Sequence, residues 1–404
     1  MTTLFECLAA GSLAAATLQV AAAIRALRNR PVPEGPDFLP PVSILKPLNG
    51  IDDRLLDSLE RLCQLDYPAY EIIFCAQGPS DPALRVARKV KDLHPSADIQ
   101  VVIGDYHEGL NPKMNTVIPG YRAARHPFVL VCDGNVSPAP GHLREAMSHF
   151  ADPSVGLVTH LMRGTGARTL GARLENAHLN TCILPSIAFL EQVAGFPGAG
   201  KSLLIRKEDL ERIGGLESVR DYLAEDYVLG NRFRKAGKRV IVSSAPLDSL
   251  TVYRTVREFL SRHARSNRLR YSVAGPAYFV ECLANPLPAA LLLLAASGFS
   301  ALGAAAVGAA AAWKVALDAL VQWRLGERRE LRWVWLGPLR DLLTASLWAC
   351  AFFPRTVTWR GQVLRITRES RLVPAERGGS AARPTRMAPA PPAGNAERFA
   401  NLKA

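Results

Sequence analysis

Between residues 42 and 244, short apolar β-rich runs alternate with helical patterns, and this alternation limits the fold more than any other feature. The strand candidates are residues 42–48, 71–77, 99–104 and 128–133, followed by 156–162, 202–206 and 240–243. Helical patterns fill 52–65, 82–93 and 113–124 between the first four. Continuous apolar strands separated by helices predict an α/β domain with a mostly parallel central sheet covered on both faces. Ligands bind such sheets at the carboxyl ends of the strands. Here those ends carry polar and turn residues: Lys46-Pro-Leu-Asn-Gly50, Gln77-Gly-Pro-Ser-Asp81, Gly104-Asp105 and Asp133-Gly-Asn135. They are expected to line one cleft.

The flanks read differently. Residues 4–24 are apolar apart from Glu6 and Gln19 and are followed by Arg25, Arg28 and Arg30. That length spans a bilayer. The charges follow the apolar run, opposite to a cleaved signal peptide, so residues 1–30 are expected to form a transmembrane anchor. The positive-inside rule puts the remainder in the cytoplasm. A Pro-rich linker (31–41) then leads to a cytoplasmic domain over 42–275. Residues 283–354 hold membrane helices: two spans meeting near Gly303–Gly308, then a short apolar run (342–354) that is either a third span or an interfacial helix. Residues 170–195 fit an amphipathic element or a buried core helix. The basic tail, 355–404, is expected to be largely disordered, its last part being rich in Pro, Ala, Gly and Arg.

A formal net charge of +13 points to anionic partners. The aromatic residues do not interleave with the basic ones in an RNA-binding pattern, so no nucleic-acid partner is expected. Seven scattered cysteines without C-x-x-C spacing argue against a disulfide framework or a zinc site and for a reducing compartment.

Several constellations carry chemistry. In Asp221–Gly230 (DYLAEDYVLG), Glu225 and Asp226 stand directly before a helical pattern. A carboxylate there is stabilised by the dipole and free amides and can act as a base; the other reading is a helix cap. Asp133 ends a buried strand, where it either holds a divalent cation bridging a nucleotide diphosphate or forms a turn, with Asn135 adding an amide oxygen. Gly109-Leu-Asn-Pro-Lys113-Met-Asn115 places a lysine at a helix start, suited to a phosphate grip or to an exposed turn. Arg262, Arg265 and Arg268 share a helical face before the membrane part, clamping a diphosphate or binding acidic headgroups. Gly195-Phe-Pro-Gly-Ala-Gly-Lys-Ser202 satisfies the phosphate-loop pattern, but a strand-like run follows where a helix is required. Its Lys201 and glycines are expected to wall the cleft.

Taken in order, these segments resemble the ceramide glucosyltransferase family of membrane glycosyltransferases. The resemblance runs from about residue 42 to 271 and more weakly to 365. It rests on Leu45-Lys-Pro-Leu-Asn-Gly-Ile-Asp52, Leu65-Asp-Tyr-Pro68, Asp81-Pro-Ala83, Asn111-Pro-Lys-Met-Asn115 and Pro119-Gly-Tyr121. Cys132-Asp133, Gly200-Lys-Ser-Leu-Leu-Ile-Arg206, Gly214-Gly-Leu216, Leu223-Ala-Glu-Asp-Tyr227, the Arg262/Arg265 pair and Val357-Thr-Trp-Arg-Gly361 complete it. The resemblance implies a GT-A type fold, a nucleotide-sugar donor, a divalent metal (Mg²⁺ or Mn²⁺), inversion at the anomeric carbon and a lipid acceptor. The expected reaction moves glucose from UDP-glucose to ceramide at a bacterial inner membrane. A hopanoid or polyprenyl acceptor, another sugar, or a catalytically dead lipid- or nucleotide-binding relative are the alternatives.

By the same resemblance Asp133 holds the metal and the diphosphate, Asp226 is the catalytic base, and Arg262 with Arg265 matches the start of the (Q/R)xxRW motif; with these arginines and Asp133, Lys46, Asp81 and Lys113 are expected to contact the donor. Glu225 is expected to face away from the acceptor hydroxyl. Two positions depart from the family. Its donor-site aspartate falls on Gly78, where either Asp81, three residues on, replaces it or the uracil contact is made differently, and the tryptophan of its (Q/R)xxRW motif falls on Ser266.

Overall fold

The structure is a computed structural model that describes residues 2–28, 38–195, 200–281, 284–353, 356–359 and 362–375. In chain order its elements are α1 (Thr2–Ala26), β1 (Val42–Pro47), α2 (Leu55–Glu60), β2 (Tyr70–Ala76), α3 (Ala83–Leu93), β3 (Ile99–Ile103), α4 (Pro112–Ala123), β4 (Phe128–Cys132) and β5 (Val136–Ser137). There follow α5 (His142–Ser148), β6 (Val155–Thr165), α6 (Leu170–His178), a π-helical turn (Leu179–Ile183), α7 (Leu184–Ala194), β7 (Ser202–Arg206), α8 (Lys207–Arg212), α9 (Glu225–Lys235) and β8 (Arg239–Leu250). The last part holds α10 (Val256–Ala274), α11 (Tyr278–Glu281), α12 (Pro286–Ala296), α13 (Ala301–Arg324), α14 (Gly337–Ser346), β9 (Thr356–Trp359), β10 (Gln362–Ile366) and β11 (Leu372–Pro374).

The chain divides into two units and passes between them more than once. One holds Val32–Thr159, Gly200–Ile241 and Arg355–Ala404; the other holds Met1–Pro31, His160–Ala199 and Val242–Pro354. Residues 160–195 and 242–275, expected within the cytoplasmic domain, group with the apolar helices.

In the first unit β1 lies parallel to β2 and β4, and β2 parallel to β3, as the alternation of strands and helices requires. β7 runs antiparallel between β4 and β6, giving the order β3-β2-β1-β4-β7-β6. The central strands are apolar along their whole length because both faces are covered; Ile44, Leu45, Ile72, Ile73, Val129 and Leu130 are fully buried. On one face Met114, Val117, Ile118 and Tyr121 of α4 pack with Val228, Leu229 and Phe233 of α9 in one cluster, so the sheet positions both helices that bear the site. α4 approaches closely at Gly120, where a Cβ would stand 2.3 Å from Cys75 Sγ on β2.

The segment at 356–374 departs from the expected disordered tail. β9, β10 and β11 form an antiparallel sheet around Val357, Leu364, Ile366 and Leu372, with Leu110, Leu223 and Trp359 packed against them. Apolar residues alternate along β10 and find a partner surface only in the folded chain. Ser370 O accepts from the Leu223 N–H at 2.9 Å, Ser370 Oγ from the Ala224 N–H at 3.1 Å, and Leu372 N donates to Asp221 O at 2.7 Å. This sheet clamps the loop that leads into α9. The rest of the tail, 376–404, and most of the linker lie outside the described residues. So do residues 196–199 of the phosphate-loop pattern; the strand β7 follows it where that loop requires a helix.

In the second unit α1 packs with α7 and α13 through Ala16, Val20, Ala23, Leu184, Ile187, Leu317 and Val321. Among the described residues two helices, α1 and α13, are long and apolar enough to cross a membrane. The break between the two expected C-terminal spans falls at residues 297–300, earlier than Gly303–Gly308. Gly298 and Phe299 take positive φ there, and Ser300 Oγ caps α13 by accepting from the Gly303 N–H. Gly303 is instead a close-packing point, since a Cβ would lie 2.8 Å from Leu294 Cα. α14 has ten residues, about 15 Å of helix, which is too short to span. It supplies Arg340 and Asp341, which pair with Lys314 and Asp318 of α13; all four are buried. Charges in an apolar helix persist when they pair in this way.

Replacing Gly120 by alanine drives a methyl group into Cys75 and should cost about 1–3 kcal/mol. The check is apparent unfolding temperature in detergent; an unchanged value would show that α4 and β2 are not in tight contact.

Candidate active site

The site is built where α4 and α9 begin and β4 ends. Asn111 starts α4: its Oδ1 accepts from the N–H groups of Lys113 at 2.8 Å and Met114 at 3.3 Å, and Pro112 occupies the first turn, where no N–H is needed. The Lys113 ammonium then lies 2.7 Å from Asp133 Oδ1 and 2.8 Å from Glu225 Oε1. Asn111 Nδ2 donates to the other Glu225 oxygen at 3.1 Å and to Tyr222 O at 2.7 Å. Burial opposes the charge on Lys113, but Asp133 and Glu225 together hold it well above the ordinary lysine range. Glu225 is pushed up by burial, and further by Asp226, against the pull of Lys113.

Asp133 is held through its main chain. Its N–H donates to Lys201 O at 2.9 Å. Lys46, fully buried, donates to Asp133 O at 2.7 Å, Val136 O at 2.8 Å and Ser58 Oγ at 3.3 Å. The ammonium expected to meet the donor thus fixes the loop that presents Asp133. Lys201 Nζ stands 3.4 Å from Asn135 Oδ1 on the same loop.

Asp226 lies in the first turn of α9, with Ala224 as the cap residue. Its Oδ1 accepts from the Tyr227 N–H and its Oδ2 from the Gly200 N–H, both at 2.8 Å. A Cβ on Gly200 would come 2.2 Å from Asp226 Cβ, so the close approach of these two segments requires glycine. Asp81 joins two strand-end loops: its Oδ1 accepts from the N–H groups of Gly50 at 3.0 Å and Ala83 at 2.9 Å. At Gly78 a Cβ would meet no atom within 4 Å.

Of the predicted site residues, Lys46, Asp81, Lys113, Asp133 and Asp226 lie in the sheet unit, where Lys113 contacts Asp133 directly. Arg262 and Arg265 stand on α10 in the other unit. Arg262 Nε is 2.9 Å and Arg254 Nη1 3.2 Å from Glu175 Oε1, and His263 Nε2 is 3.4 Å from its Oε2. Burial alone would raise Glu175, but His263, Arg262 and Arg254 hold it at about 2. Burial, and then Arg262 and Arg254, push Arg265 down. Two contributors escaped the sequence reading. Glu225 was expected only behind Asp226, and Ser370, 144 residues further on than Asp226, carries no local signal; its part comes from the fold alone.

Glu175 has an ordinary value of 4.5 and a folded value of about 2. Its stabilising contribution is therefore present above the ordinary value and lost as pH falls toward the folded one, about 3 kcal/mol in all. Unfolding temperature should fall more steeply between about pH 5 and pH 3 in the natural chain than in Glu175→Gln. Parallel curves would show that the Arg254–Arg262–His263 contacts add nothing.

The family model for glycosyl transferase family 21 matches residues 4–372. Ceramide glucosyltransferase 1 of Caenorhabditis elegans is 30% identical over 270 residues, covering 66% of this chain and 57% of its own. Ceramide glucosyltransferase of Komagataella phaffii is 22% identical over 422 aligned positions, covering 80% of this chain and 82% of its own. The chain thus spans a little over half the length of the nematode relative. Among solved structures, the mannosyltransferase PcManGT from Pyrobaculum calidifontis, in complex with GDP-Man and Mn²⁺, gives a TM-score of 0.51 at 19% identity, covering 86% of this chain and 98% of that one. That likeness bears on the fold, and agrees with the expected GT-A type α/β architecture. With the family model covering nearly the whole described chain, this protein belongs to glycosyl transferase family 21.

Proposed function

We propose that this protein is an inverting lipid glycosyltransferase that moves a hexose, glucose from UDP-glucose in the favoured reading, onto a hydroxyl of a membrane lipid, ceramide. The observation that carries this reading is the gathering of Asp133, Lys113 and Glu225 at the strand ends, with Asp226 next along α9 held by two N–H donors.

The residues fit a divalent cation. Asp133 Oδ1 and Glu225 Oε1 already converge on one positive group, the Lys113 ammonium, at 2.7 and 2.8 Å. Asp133 would hold Mg²⁺ or Mn²⁺, and the ion, when bound, supplies charge to the leaving diphosphate. This chain's own residues do the rest. Lys113 offers a cation for the diphosphate at the start of α4. Asp226 takes the proton of the acceptor hydroxyl as it attacks the anomeric carbon from the face opposite the departing nucleotide. Lys46 and Asp81 act by holding strand-end loops in place. Arg262 and Arg265, on α10, are assigned to anionic groups of the donor or of the lipid headgroups.

The relatives named as ceramide glucosyltransferases support the acceptor class, and α1 and α13 support a membrane setting. Arg25 and Arg28 at the end of α1 favour a cytoplasmic catalytic unit by the positive-inside rule; the membrane proposed is a bacterial inner membrane.

Asp226→Asn should fold and bind nucleotide yet lose about 10²–10⁴-fold in turnover. The measurement is transfer of radiolabelled sugar from UDP-sugars to extracted lipids in detergent micelles. Near-natural turnover by that variant sinks the role of Asp226. Nucleotide binding by the natural chain without any labelled lipid would instead mark it as a binding relative.

A further inference from the structure

Lys113 sits where a lysine is least welcome on a helix. The first turn of α4 presents the positive end of the dipole, and a cation there is disfavoured. Two carboxylates offset this, Asp133 and Glu225, and both are held from elsewhere. Glu225 is fixed on its far side by Asn111 Nδ2 at 3.1 Å, and the backbone around Asp133 is pinned by Lys46 and by Lys201 O. The movable part of the trio is the ammonium, at the end of a four-carbon stem.

The charges decide what can enter. Asp133, Glu225 and Lys113 together carry one net negative charge. A divalent ion on Asp133 alone would be placed against the Lys113 ammonium, a repulsion that the single remaining carboxylate on Lys113, Glu225, offsets only in part. When a nucleoside diphosphate arrives with the ion, its phosphate oxygens give Lys113 a second place to go. We propose that Lys113 is a resident counter-cation that occupies Asp133 in the free protein and is exchanged for the metal only when the nucleotide binds with it. It moves its ammonium to the diphosphate while keeping Glu225. Metal and nucleotide would then bind as a coupled pair, and the coupling is reciprocal. This rests on the metal-and-nucleotide part of the proposed function and goes beyond it in assigning the order.

The test uses the full chain in detergent, with Mn²⁺ binding followed by electron paramagnetic resonance, alone and with UDP or GDP. The natural chain should bind Mn²⁺ on the order of tenfold more tightly with nucleotide than without. Lys113→Met should tighten Mn²⁺ binding without nucleotide by on the order of tenfold and abolish most of the coupling. Because Lys113→Met leaves Glu225 unpaired, Lys113→Met/Glu225→Gln provides the same comparison without that charge. Lys113→Arg, which keeps the charge, should bind Mn²⁺ alone as weakly as the natural chain. Folding of each is checked by near-ultraviolet circular dichroism. If the folded Met variants bind Mn²⁺ alone no more tightly than the natural chain, or Lys113→Arg binds it as tightly as they do, the exchange is wrong while the proposed function stands. If the natural chain binds no Mn²⁺ with either nucleotide, the metal part of the proposed function falls and the exchange with it.

Discussion

A single ammonium group, that of Lys113, ties together parts of the chain that are 20 and 112 residues away from it. For it to reach Asp133 and Glu225 at once, α4 must begin directly after its cap Asn111, β4 must end at Cys132 and α9 must begin at Glu225. Each condition is met by its own device. Asn111 caps α4, Lys46 and Lys201 O hold the backbone after β4, and the β9–β11 sheet clamps residues 221–224 before α9. A charge with only 19% of its side chain exposed leaves little tolerance for error, because an unpaired buried ion is far more costly than a paired one is beneficial. The ends of β4, α4 and α9 are therefore electrostatically interdependent.

The second unit obeys the same rule in a different setting. α13 is apolar enough to cross a membrane, yet it carries Lys314 and Asp318, which are buried and paired with Arg340 and Asp341 of α14. Arg340 also donates to Thr181 Oγ1 at 2.8 Å in the π-helical turn, so the short helix that cannot span the bilayer serves as a polar partner for one that can. Glu175 plays the comparable part on α6 by gathering Arg254, Arg262 and His263. Arg262, one of the two arginines that the family resemblance singles out, is thus set by a carboxylate that the resemblance did not mention.

Much of the sheet was legible because its signal is local. β7 falls on its expected bounds, and β1, β3, α3 and α4 lie within a residue or two of theirs, since strands of a sheet covered by helices read as short apolar runs between helical patterns. Asp133 and Asp226 stood out for the same reason, one at a strand end and one at a helix start. Other features had no local signal. β9–β11 are short, and they hold together through Leu110 and Leu223, which are distant in sequence. The break between α12 and α13 depends on Phe299 accepting a positive φ that its residue type disfavours, while Gly303, which looked like part of a break, serves close packing.

By itself, the amino-acid sequence determined the strand–helix alternation, the apolar N-terminal helix and the identity of the charged residues at the strand ends, because each of these is written within a few neighbouring residues; the family was legible from the order of many such short motifs. Only the tertiary structure decided how those charges are shared. It placed Lys113 between Asp133 and Glu225, turned Lys46 inward onto backbone carbonyls, and grouped residues 160–195 with the apolar helices. The reason is physical: a charge's partner is set by distance in space and by the burial around it, and neither quantity is a property of the local sequence.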